Sequence, residues 1–269
     1  MKKTPTLIAL LMIAAVTGLW AQTTPAQTTT LQTAADLIKA GDELYAKFDD
    51  AGATIQYEQA AKLEPANYEA LWKTSRAYLD VGDRMKTKTK AEEEQRIKLY
   101  LTSEDYAKKA VKANPIDTWG HFFDSAAMGM HALQLSKKQQ VAMSKQIKIE
   151  IDKAIELDPK NDLAYNALGQ WHRTMAEIGG VSRFFGSILF GSIPKGSFDE
   201  SAKAFLKGIE VKPSYSNHHL ELGRTYLDMK KKDLAAKEFQ IAVDSPILTS
   251  KCADYKEEAK QELAKLKKK

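Results

Sequence analysis

Proline ends five segments of this chain, each time behind the same kind of approach. The five are Ala60-Ala-Lys-Leu-Glu-Pro65, Ala110-Val-Lys-Ala-Asn-Pro115, Ala154-Ile-Glu-Leu-Asp-Pro159, Gly208-Ile-Glu-Val-Lys-Pro213 and Ala242-Val-Asp-Ser-Pro246. A small residue followed by an apolar-polar mixture reads as a helix that packs closely on a neighbour. Proline then stops it, because it lacks the N–H and drives the residue before it out of helical geometry. A new helix is expected two or three residues after each proline. Few folds other than a stack of helix pairs accommodate that recurrence.

The segments between the prolines carry matching positions. Tyr165, Leu168 and Gly169 stand on one first helix. Leu222, Gly223 and Tyr226 stand on another, followed by Ala235, Phe239 and Ala242 on its partner. Near the start, Gly41 leads to Ala53, Tyr57 and Ala60, and Ile147, Ile151 and Ala154 form an apolar stripe at helical spacing. The pattern resembles the tetratricopeptide repeat (TPR), two antiparallel helices with Gly or Ala where backbones approach and aromatics in the gaps. Successive prolines are 50, 44, 54 and 33 residues apart, and only the last spacing fits the ordinary repeat of about 34 residues. Insertions are therefore expected within pairs, near 84–99, 131–140 and 179–197. The expected fold is all-α: five TPR-like pairs over residues 34–269 in one α-solenoid, closed by a capping helix with Tyr255, Ala259, Leu263 and Leu266 on one side.

A narrower resemblance lies between Ala164 and Pro246. Leu168-Gly-Gln-Trp-His172, Leu189-Phe-Gly-Ser-Ile-Pro194, Glu200-Ser-Ala, Phe205-Leu-Lys, Pro213-Ser-Tyr-Ser216 and Leu222-Gly-Arg-Thr-Tyr226 follow one another in this order. The stretch is similar to the regulator of microtubule dynamics proteins, including the Phe-Gly-Ser-Ile-Pro insertion that ordinary TPRs lack. The resemblance implies a helical repeat and an adaptor role, and brings no catalytic residues. It does not carry microtubule binding to an exported, bacterial-type chain.

Export is the expectation from the first residues. Lys2 and Lys3 precede an apolar run from Leu7 to about Leu19, and Ala21 offers a small residue for cleavage. That is the layout of a signal peptide over residues 1–21, too short for a comfortable span of about 20 apolar residues. A flexible, uncharged linker follows over 22–33, and Thr33 with Asp36 marks the first helix start. A periplasmic protein is expected, or an inner-membrane anchor if the segment is retained. The single cysteine, Cys252, allows no internal disulfide and reads as an apolar residue of the cap. The charge of +5 is too small and too concentrated in the Lys265–Lys269 tail for a nucleic-acid footprint.

Chemistry motifs are scarce. The sequence has no Gly-rich phosphate loop, metal quartet or nucleophile elbow, so neither an enzyme nor a cofactor is expected. His218 and His219 with Glu221 come nearest to a metal cluster, but neighbours on a helix point about 100° apart. Trp72, Trp119 and Trp171 on three first helices read as packing residues. Projected onto a TPR array, Arg76, Asn166, Gln170, Arg173, Asn217 and Arg224 line the concave surface. Arg and Asn in such a groove suit a carboxylate or a peptide backbone. The function expected is a non-catalytic adaptor for a protein or peptide partner. The alternative is an envelope- or membrane-associated factor using the apolar insertion, with Phe184, Phe185 and Phe190, and the basic tail. That insertion either folds back over the array or presents an exposed patch.

Overall fold

The computed structural model describes residues 32–267, and only the backbone at Val181 and Phe190. The expected signal segment 1–21, the linker up to residue 31 and the last two lysines lie outside the described residues. Among the described residues twelve α-helices run in order: α1 Ala34–Ala46, α2 Asp50–Leu63, α3 Tyr68–Arg84, α4 Lys90–Ala113, α5 Thr118–Ala132 and α6 Lys137–Leu157. They continue as α7 Asp162–Glu177, α8 Gly180–Phe190, α9 Phe198–Val211, α10 Ser216–Asp228, α11 Lys232–Asp244 and α12 Cys252–Lys267. The pairs are α1/α2, α3/α4, α5/α6, α7/α9 and α10/α11, with α12 packed on the last.

Chain chemistry accounts for the boundaries. Thr33 and Asp36 form a reciprocal capping box at the start of α1, and Thr89 with Glu92 repeats it on α4. At the other ends, Glu64, Asn114, Asp158, Lys212 and Ser245 leave helical geometry immediately before their prolines. The first four each donate a backbone N–H to the small residue four positions back, Ala60, Ala110, Ala154 or Gly208. Those three alanines and Ala242 are fully buried.

In four of the pairs a glycine of the first helix meets a ring of the second. A Cβ on Gly41 would lie 2.5 Å from Tyr57, on Gly169 2.7 Å from Phe205, and on Gly223 2.5 Å from Phe239. Gly82 meets Tyr100 in the same way at 2.7 Å, two turns earlier on a longer second helix. The insertions near 84–99 and 131–140 lengthen α4 and α6 to 24 and 21 residues.

The third insertion is a helix of its own, α8. A Cβ on Gly186 would meet Ile193 at 2.8 Å, and Ile193 is buried. Gly191 ends the helix at φ +83°, a conformation that a side chain resists. One boundary departs from expectation. Four helices start three residues after proline, but α12 waits until Cys252, six residues past Pro246. The side chains before Cys252 are engaged elsewhere, across the inner face.

Candidate functional site

The first helices α1, α3, α5, α7 and α10, with α12, pack each on the next and form one inner layer. Arg76 sits near its N-terminal end, its guanidinium 3.7 Å from the Tyr45 ring centroid and 5.2 Å from that of Trp72. It donates to the Tyr57 hydroxyl at 3.1 Å, while its buried Nε has no hydrogen-bond partner. The other five predicted groove residues fall together on α7 and α10. Buried Asn166 accepts from Gln170 at 2.7 Å and contacts His218 Nδ1 at 2.9 Å. Gln170 is exposed and Asn217 half-buried.

Arg173 and Arg224 are joined by a carboxylate. Arg173 donates to the carbonyl of Glu221 at 3.1 Å and pairs with its Oε2 at 2.5 Å. Arg224 pairs with Oε1 of the same Glu221 at 2.6 Å and with Glu258 of α12 at 2.5 Å. Glu221 is buried, so both guanidinium groups are needed to satisfy it. Sequence reasoning weighed Glu221 only beside the histidines and passed over Glu258. The i, i+3 spacing of Glu221 and Arg224 was the one available signal; Glu258 lies 34 residues away from its partner.

The inner face is bridged rather than an open trough. Ser250 donates to Asp50 at 2.7 Å, and Lys251 pairs with Asp83, so the segment before α12 clasps the start of α2 and the end of α3. Arg84 also holds Asp50, at 2.8 Å. Burial opposes the charge on Lys251, but Asp83 and Asp80 outweigh it and hold the ammonium above the usual lysine range. Burial lifts the Asp80 carboxyl to about 6 against the pull of Lys251 and Arg76. Beside the clasp lies a cavity of about 270 Å³ lined by Asp83, Arg84, Met85, Asp254, Glu257 and Glu258. The outer end of the Arg224 chain thus opens onto the mouth of the inner face.

Three histidines, His121, His218 and His219, tie helices together. His121 sits 2.6 Å from Glu150 and 3.1 Å from the carbonyl of Pro115; His219 sits 2.7 Å from Glu238 and 2.8 Å from the carbonyl of Pro213. Each ring ties a first helix to its second helix and to the preceding proline turn. Glu150 raises the His121 pKa, since both ring neighbours are acceptors and a doubly protonated ring serves both. His218 turns the other way, to Asp162 at 2.9 Å, and burial lowers its pKa. Among the described residues no group of His, Cys, Asp and Glu has the arrangement of a metal site. Cys252 is buried in the cap.

The second candidate surface is α8. Arg183 points inward and donates to the carbonyls of Met175, Ile178 and Pro194, fastening the helix to the end of α7. Outward stand Phe184, Phe185, Ile188 and Leu189, 60–70% exposed. The side chain of Phe190 lies outside the described residues.

The likeness to known proteins runs over most of the chain. The family model described as Regulator of microtubule dynamics protein 1-3 matches residues 37–267. Regulator of microtubule dynamics protein 1 of Mus musculus is 32% identical over 213 residues, which span 79% of this chain and 67% of the mouse protein. Regulator of microtubule dynamics protein 2 of Bos taurus is 26% identical over 74% of this chain and 48% of its own length. The chain thus spans about two thirds or less of these relatives. Among solved structures, a thermophilic TPR protein of Thermus thermophilus superposes with a TM-score of 0.63 at 16% identity, covering 86% of this chain and all of that one.

Proposed function

The chain belongs to the regulator of microtubule dynamics protein family, and from that premise we propose that it is a non-catalytic TPR scaffold holding a segment of a protein or peptide partner at its inner face. The observation that carries this reading is the chain of contacts Arg173–Glu221–Arg224–Glu258. Its inner members are buried and fixed. Its outer pair is not: Glu258 is 44% exposed and Arg224 32%. A partner carboxylate takes the place of Glu258 on Arg224, and its gain is the difference between two similar ion pairs plus the contacts that follow. Arg173 keeps Glu221, and so Arg224, in position. Buried Asn166 holds the Gln170 side chain, and Gln170 and Asn217, on the same two helices, supply hydrogen bonds to a peptide backbone. Arg76, covered by Tyr45, belongs to the opposite end and is left to packing.

The proposal sets this work in the periplasm, on the strength of Lys2, Lys3, the apolar run and Ala21. N-terminal sequencing of the native protein checks it: a chain starting at Gln22 supports export with cleavage, and an intact Met1 in membrane pellets refutes it.

Affinity capture with crosslinking from the native envelope tests the groove. An Arg173→Ala/Arg224→Ala variant should weaken partner binding by roughly 1.5–3 kcal/mol, as for hydrogen bonds to charged groups. Full capture by this folded variant, with capture lost in Phe184→Ser/Phe185→Ser, moves the site to α8. Full capture by both rules out either surface.

A further inference from the structure

Among the described residues, none packs over the outward face of α8. Phe184, Phe185, Ile188 and Leu189 follow the i, i+1, i+4, i+5 spacing of one helical face, and their exposures are 64%, 60%, 68% and 70%. Other exposed apolar residues, such as Ile55 on α2 and Ile116 and Leu133 in the turns before and after α5, stand singly, the ordinary condition of a protein surface. Here four stand together, and the patch is not a loose flap. Arg183 uses both terminal nitrogens on carbonyls at the end of α7 and beyond α8, and Gly186 lets the helix back onto Ile193. The fold therefore holds a greasy surface outward, against the cost of wetting it.

Size and charge select what covers it. The four side chains present roughly 500 Å², short of the ~800 Å² that each partner gives to a stable protein interface. A second copy stacked on this face alone would be a weak dimer. A bilayer sets no such minimum, because each apolar group gains on its own from entering the acyl boundary. From Ile178 to Phe198 there is no acidic residue, and the charges are Arg183 and Lys195, so nothing in the segment repels an anionic headgroup layer. The length of 11 residues is about 16 Å of helix, half of the ~30 Å hydrocarbon core, which fits lying in the interface and not crossing it.

We propose that α8 is a membrane-docking helix, which lays Phe184, Phe185, Ile188 and Leu189 into the surface of a lipid bilayer while Arg183 keeps it tied to the repeat array. The groove reading is independent of it, since α8 lies outside the inner layer.

The test uses the chain from Gln22 onward, without the apolar run Leu7–Leu19, and vesicles of phosphatidylethanolamine and phosphatidylglycerol. Wild type should co-sediment with them, and a Phe184→Ser/Phe185→Ser/Ile188→Ser/Leu189→Ser variant should lose partitioning on the order of a hundredfold or more, with its melting curve unchanged because the four positions are exposed. A second measurement reads α8 directly. Cys252 is buried, so a Leu189→Cys chain offers one accessible thiol, and an environment-sensitive dye on it should shift to the blue when vesicles are added. Equal sedimentation of wild type and variant together with an unmoved dye spectrum overturns the proposal, because binding then comes from another part of the chain. So does wild type that stays in the supernatant. Light scattering that shows a concentration-dependent dimer in wild type and a monomer in the variant assigns the face to a second copy and overturns it as well.

Discussion

Between α3 and α5 the inner layer closes with stacked rings, and between α7 and α10 it closes with charges and hydrogen bonds. In the first seam Trp72 lies 5.4 Å from Trp119 and 5.9 Å from Phe123, nearly parallel to both. In the second, Asn166 meets His218, and Arg173 reaches across to Glu221. The helices pack in the same order and the backbone repeat is the same, so the repeat does not require either chemistry. The aromatic seam excludes water and offers few directional contacts. The polar seam fixes donors and acceptors by pairing them with one another, and only its outer end, Arg224 with Glu258, is partly exposed. On one scaffold, the two seams meet the same packing demand with different chemistry.

The largest effect should come from the aromatic side. Trp119→Ala should cost about 3 kcal/mol, the low end for a truncated core aromatic because Trp119 is only half-buried, and the loss should be the same in low and high salt. Denaturant unfolding at two ionic strengths checks it. Glu221→Ala should cost about 2–3 kcal/mol, less than a fully buried pair because Arg224 is partly solvated, and should abolish any further effect of Arg173→Ala. A double-mutant cycle that gives simple additivity would show the seam to be inert. Ala154→Leu and Ala242→Leu, one in each half of the array, should each cost about 1–3 kcal/mol by overpacking. Unchanged midpoints in both would mean that neither seam rests on the close approach of the pairs.

The smallest effect is the most diagnostic, because its sign differs between the halves. Glu150 raises the pKa of His121, so its contribution is complete below the ordinary histidine value of about 6.5 and is lost as pH rises through the folded value. Burial lowers the pKa of His218, so its contribution is complete above about 6.5 and is lost as pH falls toward the folded value. Unfolding midpoints of His121→Gln and His218→Gln, measured against pH, should approach wild type from opposite directions. Parallel curves would refute the assigned protonation states.

Short-range chemistry was legible in the sequence. Pro65 through Pro246 mark the ends of the second helices, and Gly41, Gly169 and Gly223 mark close approaches, because each acts on its own turn of chain. The half-buried or buried placement of Trp72, Trp119 and Trp171 followed from helical spacing alone. The groove residues were placed on the correct helices, but their partners were hidden. Arg224 reads as a free cation until α12 brings Glu258 beside it, and that meeting depends on how each pair rotates on the last. Exposure of α8 was equally invisible: Phe184 and Ile193 are alike in sequence, and only the backing of Gly186 onto Ile193 decides which is covered. Gly82 and Tyr100 were missed because the lengthened α4 moved the ring two turns from its usual position.

The clasp between Ser250 or Lys251 and Asp50 or Asp83 has a thermodynamic consequence for the array. A stack of repeats unfolds like a one-dimensional chain of neighbours, fraying from whichever end is weaker. A contact between residues 200 positions apart adds a coupling that skips the intervening pairs. The last helix can no longer melt without loosening the first two pairs, and neither of those can open without releasing the segment that leads into the cap. Fraying, which would otherwise be gradual and local, becomes a shared event for the two extremities.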